Sequence, residues 1–366
     1  MKITPRNHGL DTLRALAIVL VVLHHYVLFV SGSDTFGWLG SIGWVGVDLF
    51  FALSGYLIGN QIFAGLRAGN GFSLPRFYAR RLLRTLPNFY VLVALYYLWP
   101  GFRHDAPLLP LWKFLTFTQN INLTPGTAFS HAWSLCIEEQ FYMLLPALAL
   151  LLAALRWPLR WTWALVALTF AAGMAIRYQL WNTYVGEGGY FKYIYYSTFC
   201  RFDELVAGVV LALLKNYHAR LWRALTANGN LALALGSLVT ALAFWLFLQD
   251  REGQAITVFG FPLLALGFAL LILAALGERS ILRSVCVPGA GKLALWSYAI
   301  YLTHKQLGIL AREPLLRLGY GPESLMAIGV VMAGSLAAGW LLHACVETPF
   351  MALRARWVPT NEVKPR

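Results

Sequence analysis

The chain has 366 residues, 59% of them hydrophobic and only 12% charged, with a mean hydropathy of +0.61. Soluble domains carry about 25% charged residues. This composition therefore excludes a soluble globular enzyme, a disordered chain and a nucleic-acid binder despite a net charge of +13, which has to be read against a membrane instead.

A helix crosses a bilayer with roughly 20 apolar residues. About ten such stretches follow one another, near 10–30, 42–63, 82–99, 133–155, 161–180, 199–216, 231–248, 256–276, 293–310 and 324–346. The first is a span and no cleavable signal: it is too long, carries Asp11 and Arg14, and lacks a small-residue cleavage site. The connection 101–132 holds Pro107, Pro110 and Pro125 among aromatics and reads as an ordered loop or short re-entrant piece. Cys136, Cys200, Cys286 and Cys345 form neither a disulfide framework nor a zinc motif and read mostly as apolar fillers. No repeat, low-complexity linker or appended soluble domain is visible. The predicted fold is an all-α integral membrane protein, one domain over residues 1–366, built as a bundle of about ten transmembrane helices.

Connections on the N-terminal side hold 19 of the 29 Lys and Arg, from Lys2 and Arg6 to Lys364 and Arg366; the opposite side holds eight, among them Arg177, Arg251 and Lys305. Positive residues stay inside, so both termini are predicted to be cytoplasmic.

An ionisable group within a span costs about 2.5–3.5 kcal/mol or more on insertion scales and is a functional candidate by default. In the first span Arg14 and His25 are eleven residues apart, so they share a face and are separated by about 16 Å of helix rise. A permanently charged guanidinium suits a phosphate, and an imidazole suits general base work. The pair fits a long thin ligand such as the pantetheine arm of coenzyme A; the alternative is that His25 is an interhelical hydrogen-bonder. Asp48, in the second span, is at a depth where it can orient His25 or simply bond within the bundle; Gly55 and Gly59 allow close helix packing. Arg76, Arg80 and Arg84 recur at i, i+4 and i+8 on one helix face, either as topology determinants or as a docking surface for an anionic cofactor head. His131 and Glu138 share a face if the fourth helix starts at His131, beside Trp133. Arg201 can pair with Asp203 or Glu204. Tyr301 and His304 are on roughly one face of the ninth span, and His343 and Glu347 are at the end of the last.

Six segments in order resemble the membrane-bound acyltransferase 3 family: Leu10-Asp11-Thr12-Leu13-Arg14 with His25; Gly46-Val47-Asp48-Leu49-Phe50-Phe51 with Ser54-Gly55; Arg76-Phe77-Tyr78 with Arg80, Arg81, Arg84 and Pro87; His131-x-Trp133-Ser134 with Glu138-Glu139-Gln140-Phe141-Tyr142; Ser297-Tyr298 with Tyr301-Leu302-Thr303-His304; and Glu347-Thr348-Pro349-Phe350. The resemblance covers essentially the whole chain. It implies O-acylation of extracytoplasmic carbohydrates such as lipopolysaccharide O-antigen, with acetyl-CoA as donor and no metal, in a bacterial inner membrane, with Arg14 and His25 as the family's Arg-x10-His pair. Some members carry an extra esterase-like domain; its absence here implies direct transfer or a separate periplasmic partner. The expected roles are catalysis by His25 with Asp48 or Glu138; donor binding by Arg14, Arg76, Arg80, Arg84, Tyr301 and His304; and acceptor binding by His131 and Trp133. The rival reading is a proton-coupled transporter that uses the intramembrane His, Asp and Glu.

Overall fold

The computed structural model describes residues 7–68 and 72–359. Lys2, Arg6, Lys364 and Arg366, which enter the charge bias, lie outside the described residues. Among the described residues there is no strand, and ten helices reach fifteen residues or more: α1 His8–Tyr26, α2 Val45–Arg67, α3 Leu74–Leu98, α4 Trp133–Ala154, α5 Leu159–Tyr184, α6 Asp203–Tyr217, α7 Gly229–Gln249, α8 Phe261–Leu276, α9 Ala290–Arg317 and α10 Leu325–Leu342. They coincide with the ten apolar stretches, but local chemistry sets their ends. The Asn7 side chain accepts from the Leu10 N–H at 3.0 Å, Asn228 from Leu231 at 3.2 Å and Ser324 from Ala327 at 3.2 Å. Each cap satisfies a backbone donor that has no partner within its helix. Ser73 caps α3 ahead of Pro75, so the helix takes in the arginine-rich segment that hydropathy alone leaves out.

Seven helical runs are long and apolar enough to cross a membrane; α3, α6 and α9 fall outside that set. The reason is polar load or length. Four arginines crowd the first half of α3, α6 has only 15 residues and opens on Asp203-Glu204, and α9 carries Lys292, Lys305, Arg312, Glu313 and Arg317. The bundle has the surface expected in lipid. Leu168, Leu238 and Phe259 are more than 60% exposed, whereas Asp48, Arg177, Arg201 and Glu204 are fully buried.

The centre of the bundle is α2 against α6, flanked by α1, α4 and α8; α1 also packs on α9, and α9 on α10. Close approach of α2 and α6 explains the glycines: a Cβ at Gly55 would overlap the Leu205 carbonyl, and one at Gly208 the Ala52 carbonyl. The connection before α4 is an ordered loop, with short helices Pro100–Arg103 and Leu111–Leu115 and a 3-10 turn at Ser130–Ala132. It is pinned by a Phe89–Phe117 stack at 4.6 Å and by Phe129 against Tyr96 at 4.8 Å. Beyond Tyr26, α1 continues as a π-helical turn, Val27–Ser31, immediately after the paired histidines. Such turns re-aim side chains and are frequent at functional sites. Of the four cysteines, Cys136 and Cys200 are buried, while Cys286 and Cys345 are exposed rather than filling the interior.

Candidate active site

Two of the cavities along α1 gather the candidate site residues. The larger, about 370 Å3, is lined by five guanidinium groups: Arg14 of α1, Arg80, Arg81 and Arg84 of α3, and Arg354 of the helix Thr348–Trp357. Facing them are Glu138 and Glu139 of α4. Glu138 accepts from Tyr142 Oη at 2.5 Å and Ser54 Oγ at 3.2 Å. Arg81 stands 3.6 Å over the Tyr142 ring and 4.0 Å from Glu139. Arg80 donates to the Val358 carbonyl at 2.6 Å, which fastens the C-terminal helix over α3. Five permanent cations against two carboxylates make this a cavity for a polyanion, and its walls of Leu53, Leu57, Ile58 and Phe77 suit an attached apolar arm.

The second cavity, about 110 Å3, gathers His24 and His25 of α1, His131 and Trp133 before and at the start of α4, and Arg251 from the connection after α7. His25 Nδ1 lies 2.7 Å from His304 Nε2, and His304 Nδ1 lies 2.8 Å from the Ile300 carbonyl oxygen. The two imidazole planes differ by 3° with centroids 4.9 Å apart. That separation is close to the nitrogen–nitrogen distance plus the two ring radii, so the rings meet edge to edge in one plane rather than face to face. A carbonyl only accepts, so for neutral rings His304 Nδ1 carries the proton and its Nε2 accepts. His25 Nδ1 is then the donor, and His25 Nε2 keeps a free lone pair. This is the orientation a general base needs.

His131 sits at right angles to both rings, 6.0 Å from His25 and 5.7 Å from His304, and neither of its nitrogens has a hydrogen-bond partner among the described residues. Lys305 is buried beside this group, with Nζ 3.1 Å from Ser130 Oγ and 4.4 Å over the Phe29 ring. Tyr301 lines both cavities. Its hydroxyl meets Ser134 Oγ at 2.7 Å and donates to the His131 carbonyl.

Several expectations change. Asp48 does not orient His25: it is fully buried and ion-paired with Arg201. Asp203 therefore pairs not with Arg201 but with Arg177, through two bonds of 2.5 and 3.2 Å. A fully buried arginine has to find its carboxylate, and across the bundle the nearest one is not the neighbour in sequence. Glu138 also stands apart from His25. His131 belongs to the 3-10 turn and α4 begins at Trp133, so the separation of seven positions, about 10 Å of rise, carries Glu138 into the arginine cavity. His304 joins His25 rather than the arginine cavity, because one further turn of α9 takes it past Tyr301. Arg76 is exposed in the first turn of α3 and does not line the cavity, unlike Arg80 and Arg84. Trp133 is buried and packs against Tyr195 at 4.9 Å and Tyr196 at 5.5 Å. His343 pairs with Glu347 at 3.1 Å, and Glu347 accepts from Asn88 at 3.2 Å.

Sequence reasoning assigned no site role to Arg251, Lys305 or Arg354. Arg251 and Arg354 counted as loop charges. Lys305 falls inside the predicted ninth span, 293–310, and that position is the signal in the sequence for its burial.

The Acyltransferase domain family matches residues 7–344. The chain is 28% identical over 362 residues to the peptidoglycan O-acetyltransferase OatA of Listeria monocytogenes, an alignment covering 93% of this chain and 55% of that protein. It is 30% identical over 349 residues to BcsY of Komagataeibacter xylinus, named as a membrane-bound transacylase, covering 91% of this chain and 78% of BcsY. YrhL of Bacillus subtilis, which shares the peptidoglycan O-acetyltransferase name, is 26% identical over 348 residues, 85% of this chain and 50% of YrhL. The chain thus spans about half the length of OatA and YrhL. No solved structure matches it. With the family matched from the cap of α1 to the end of α10, the chain belongs to the acyltransferase 3 family.

Proposed function

We propose that this protein is a transmembrane O-acyltransferase that moves an acetyl group from cytoplasmic acetyl-CoA to a hydroxyl of an extracytoplasmic carbohydrate. One observation carries the reading: α1 delivers Arg14 into the arginine cavity and His25 into the histidine pocket, with Tyr301 lining both. The ten helices then form a single transmembrane domain over residues 1–366 with both termini in the cytoplasm, in a bacterial inner membrane. Asp203 and Glu204 of α6 and Lys305 of α9 are buried, and Arg80, Arg81 and Arg84 of α3 line the arginine cavity, where a charge costs less than against lipid; Arg76 and the remaining charges of α9 are exposed.

In this reading the arginine cavity opens to the cytoplasm. Arg14, Arg80, Arg81, Arg84 and Arg354 hold the phosphates of the donor, and the thin pantetheine arm runs past Tyr301. The residues fit that ligand chemically: the cations outnumber the carboxylates, and the Nε atoms of Arg81 and Arg354 have no hydrogen-bond partner among the described residues. The acceptor hydroxyl lies against His25 Nε2. His25 removes its proton as the oxygen bonds the thioester carbonyl carbon, the carbon–sulfur bond breaks, and the departing thiolate takes the proton from His25. The imidazolium formed in between is stabilised through His304 to the Ile300 carbonyl, a relay in which a carbonyl stands where Ser-His-Asp sites place a carboxylate. The acceptor is a surface polysaccharide such as lipopolysaccharide O-antigen or peptidoglycan, the second being the polymer for which OatA and YrhL are named.

The test uses membranes containing the full chain and acetyl-CoA labelled in the acetyl group, following CoA release and ester-linked label in surface glycan. At unchanged protein level, His25→Ala should all but abolish transfer and Arg14→Ala should lower it at limiting donor. Transfer near the wild-type rate in both variants would refute the assignment. Uptake driven by a pH gradient without CoA release would favour a transporter.

A further inference from the structure

We propose that the histidine pocket selects an acceptor sugar that bears a carboxylate, and that Arg251 is the residue that binds it. This rests on the reading of His25 as the transfer base and names the substrate class of the same site.

Three arginines near this end of the bundle are treated differently by the fold. Arg177 has Asp203, and Arg201 has Asp48. Arg251 has no carboxylate within 4.0 Å among the described residues. It is nevertheless held in place, its guanidinium carbon 4.6 Å from the Trp44 ring centroid, 5.0 Å from Tyr195 and 5.4 Å from Phe191. Aromatic faces fix a cation without neutralising it. Its Nε is buried and without a hydrogen-bond partner among the described residues. A guanidinium so held, partly desolvated and unpaired, is costly unless an anion completes it.

The same pocket has a second unsatisfied group. His131 is 4% exposed, lines the pocket, and uses neither ring nitrogen. His24 spends Nδ1 on the Gly40 carbonyl at 2.8 Å, which leaves its Nε2 to accept. Trp133 and Tyr196 supply aromatic faces. Together these are the parts a sugar acid needs: rings for the C–H face of a pyranose, imidazoles for its hydroxyls, and a planar fork for a carboxylate. One unpaired cation matches a monoanion, whereas the polyanionic donor is matched by five guanidiniums in the other cavity. Placing the carboxylate on Arg251 fixes which hydroxyl meets His25.

The experiment compares methyl β-glucuronide with methyl β-glucoside, which differ only in the carboxylate at C6. Purified full-length protein is tested for binding by thermal shift, and membranes are tested for acetyl transfer to each sugar. Wild type should bind and acetylate the glucuronide with about tenfold advantage. Arg251→Gln should bring that ratio close to one, and Arg251→Lys should keep part of it. The Lys variant also shows whether a loss in Arg251→Gln comes from misfolding. Equal transfer to both sugars by wild type, or a ratio unchanged in Arg251→Gln, would overturn the inference while leaving the acyltransferase reading in place. Arg251-dependent binding of the glucuronide with no acetyl moved to either sugar would do the reverse: it would support the carboxylate site and refute the transfer reading.

Discussion

The two cavities share a helix and a tyrosine but are built from opposite kinds of chemistry. The arginine cavity is lined by cations that cannot lose their proton, balanced in part by Glu138 and Glu139. The histidine pocket is lined by rings that can carry either zero or one charge, coupled in a plane and anchored on a backbone carbonyl. The contrast teaches a division of labour. Holding a phosphate needs a charge that does not change, whereas moving a proton needs a group that does. Among the described residues Arg251 is the one arginine that lines the histidine pocket, against five in the other cavity.

The comparison can be broken by variants whose effects cross from one cavity to the other. The largest expected effect is that of His25→Ala: a fall in kcat by about 10^2–10^4-fold with donor KM nearly unchanged, the span general bases contribute. A rise in donor KM instead would dissolve the distinction. Next comes His304→Gln, which retains hydrogen bonding but not the imidazole relay. It should lower kcat by about 10–100-fold and leave donor KM alone, the readout that separates orientation from packing. Arg14→Ala and Arg84→Ala should act on the other side, each raising donor KM by about tenfold or more, since a charge-assisted bond contributes ~1.5–3 kcal/mol, with kcat moving less. Asp48→Asn sharpens the boundary. It strands Arg201 without its carboxylate, so thermal stability of the detergent-solubilised protein should fall by ~3–5 kcal/mol, while kcat and KM of the surviving folded fraction stay near wild type. A selective loss of kcat in that variant would return Asp48 to the transfer site. The smallest effect is expected for Tyr301→Phe, which removes one hydroxyl bonded to Ser134 and the His131 carbonyl and should change kcat by only a few-fold.

Much of this was legible in the sequence. Helix positions follow from apolar run length, and the predicted starts at residues 133, 231 and 324 differ from those of α4, α7 and α10 by two residues or fewer. Arg14 and His25 were legible because one helix carries both, and helix geometry is local. Arg80 and Arg84 followed from the same spacing rule, whereas Arg76 did not, because the rule says nothing about where a helix emerges from the bundle. Pairings between helices were the weakest point. Asp48 finds Arg201 across 153 positions and His25 finds His304 across 279, and no periodicity encodes which of several buried carboxylates an arginine meets.

By itself, then, the sequence determined the solvent this chain folds in, its all-helical class, the places of its helices and the Arg14–His25 axis. All of these depend on composition or on separations within one helix. Only the tertiary structure decided that His304, rather than Asp48 or Glu138, holds His25, that Arg354 lines the arginine cavity, and that Arg251 sits in the pocket with His25 without a carboxylate partner among the described residues. These outcomes are settled by helix rotation and by competition for partners in a medium without water. There each buried charge takes the best counter-group within reach, and reach is a property of packing.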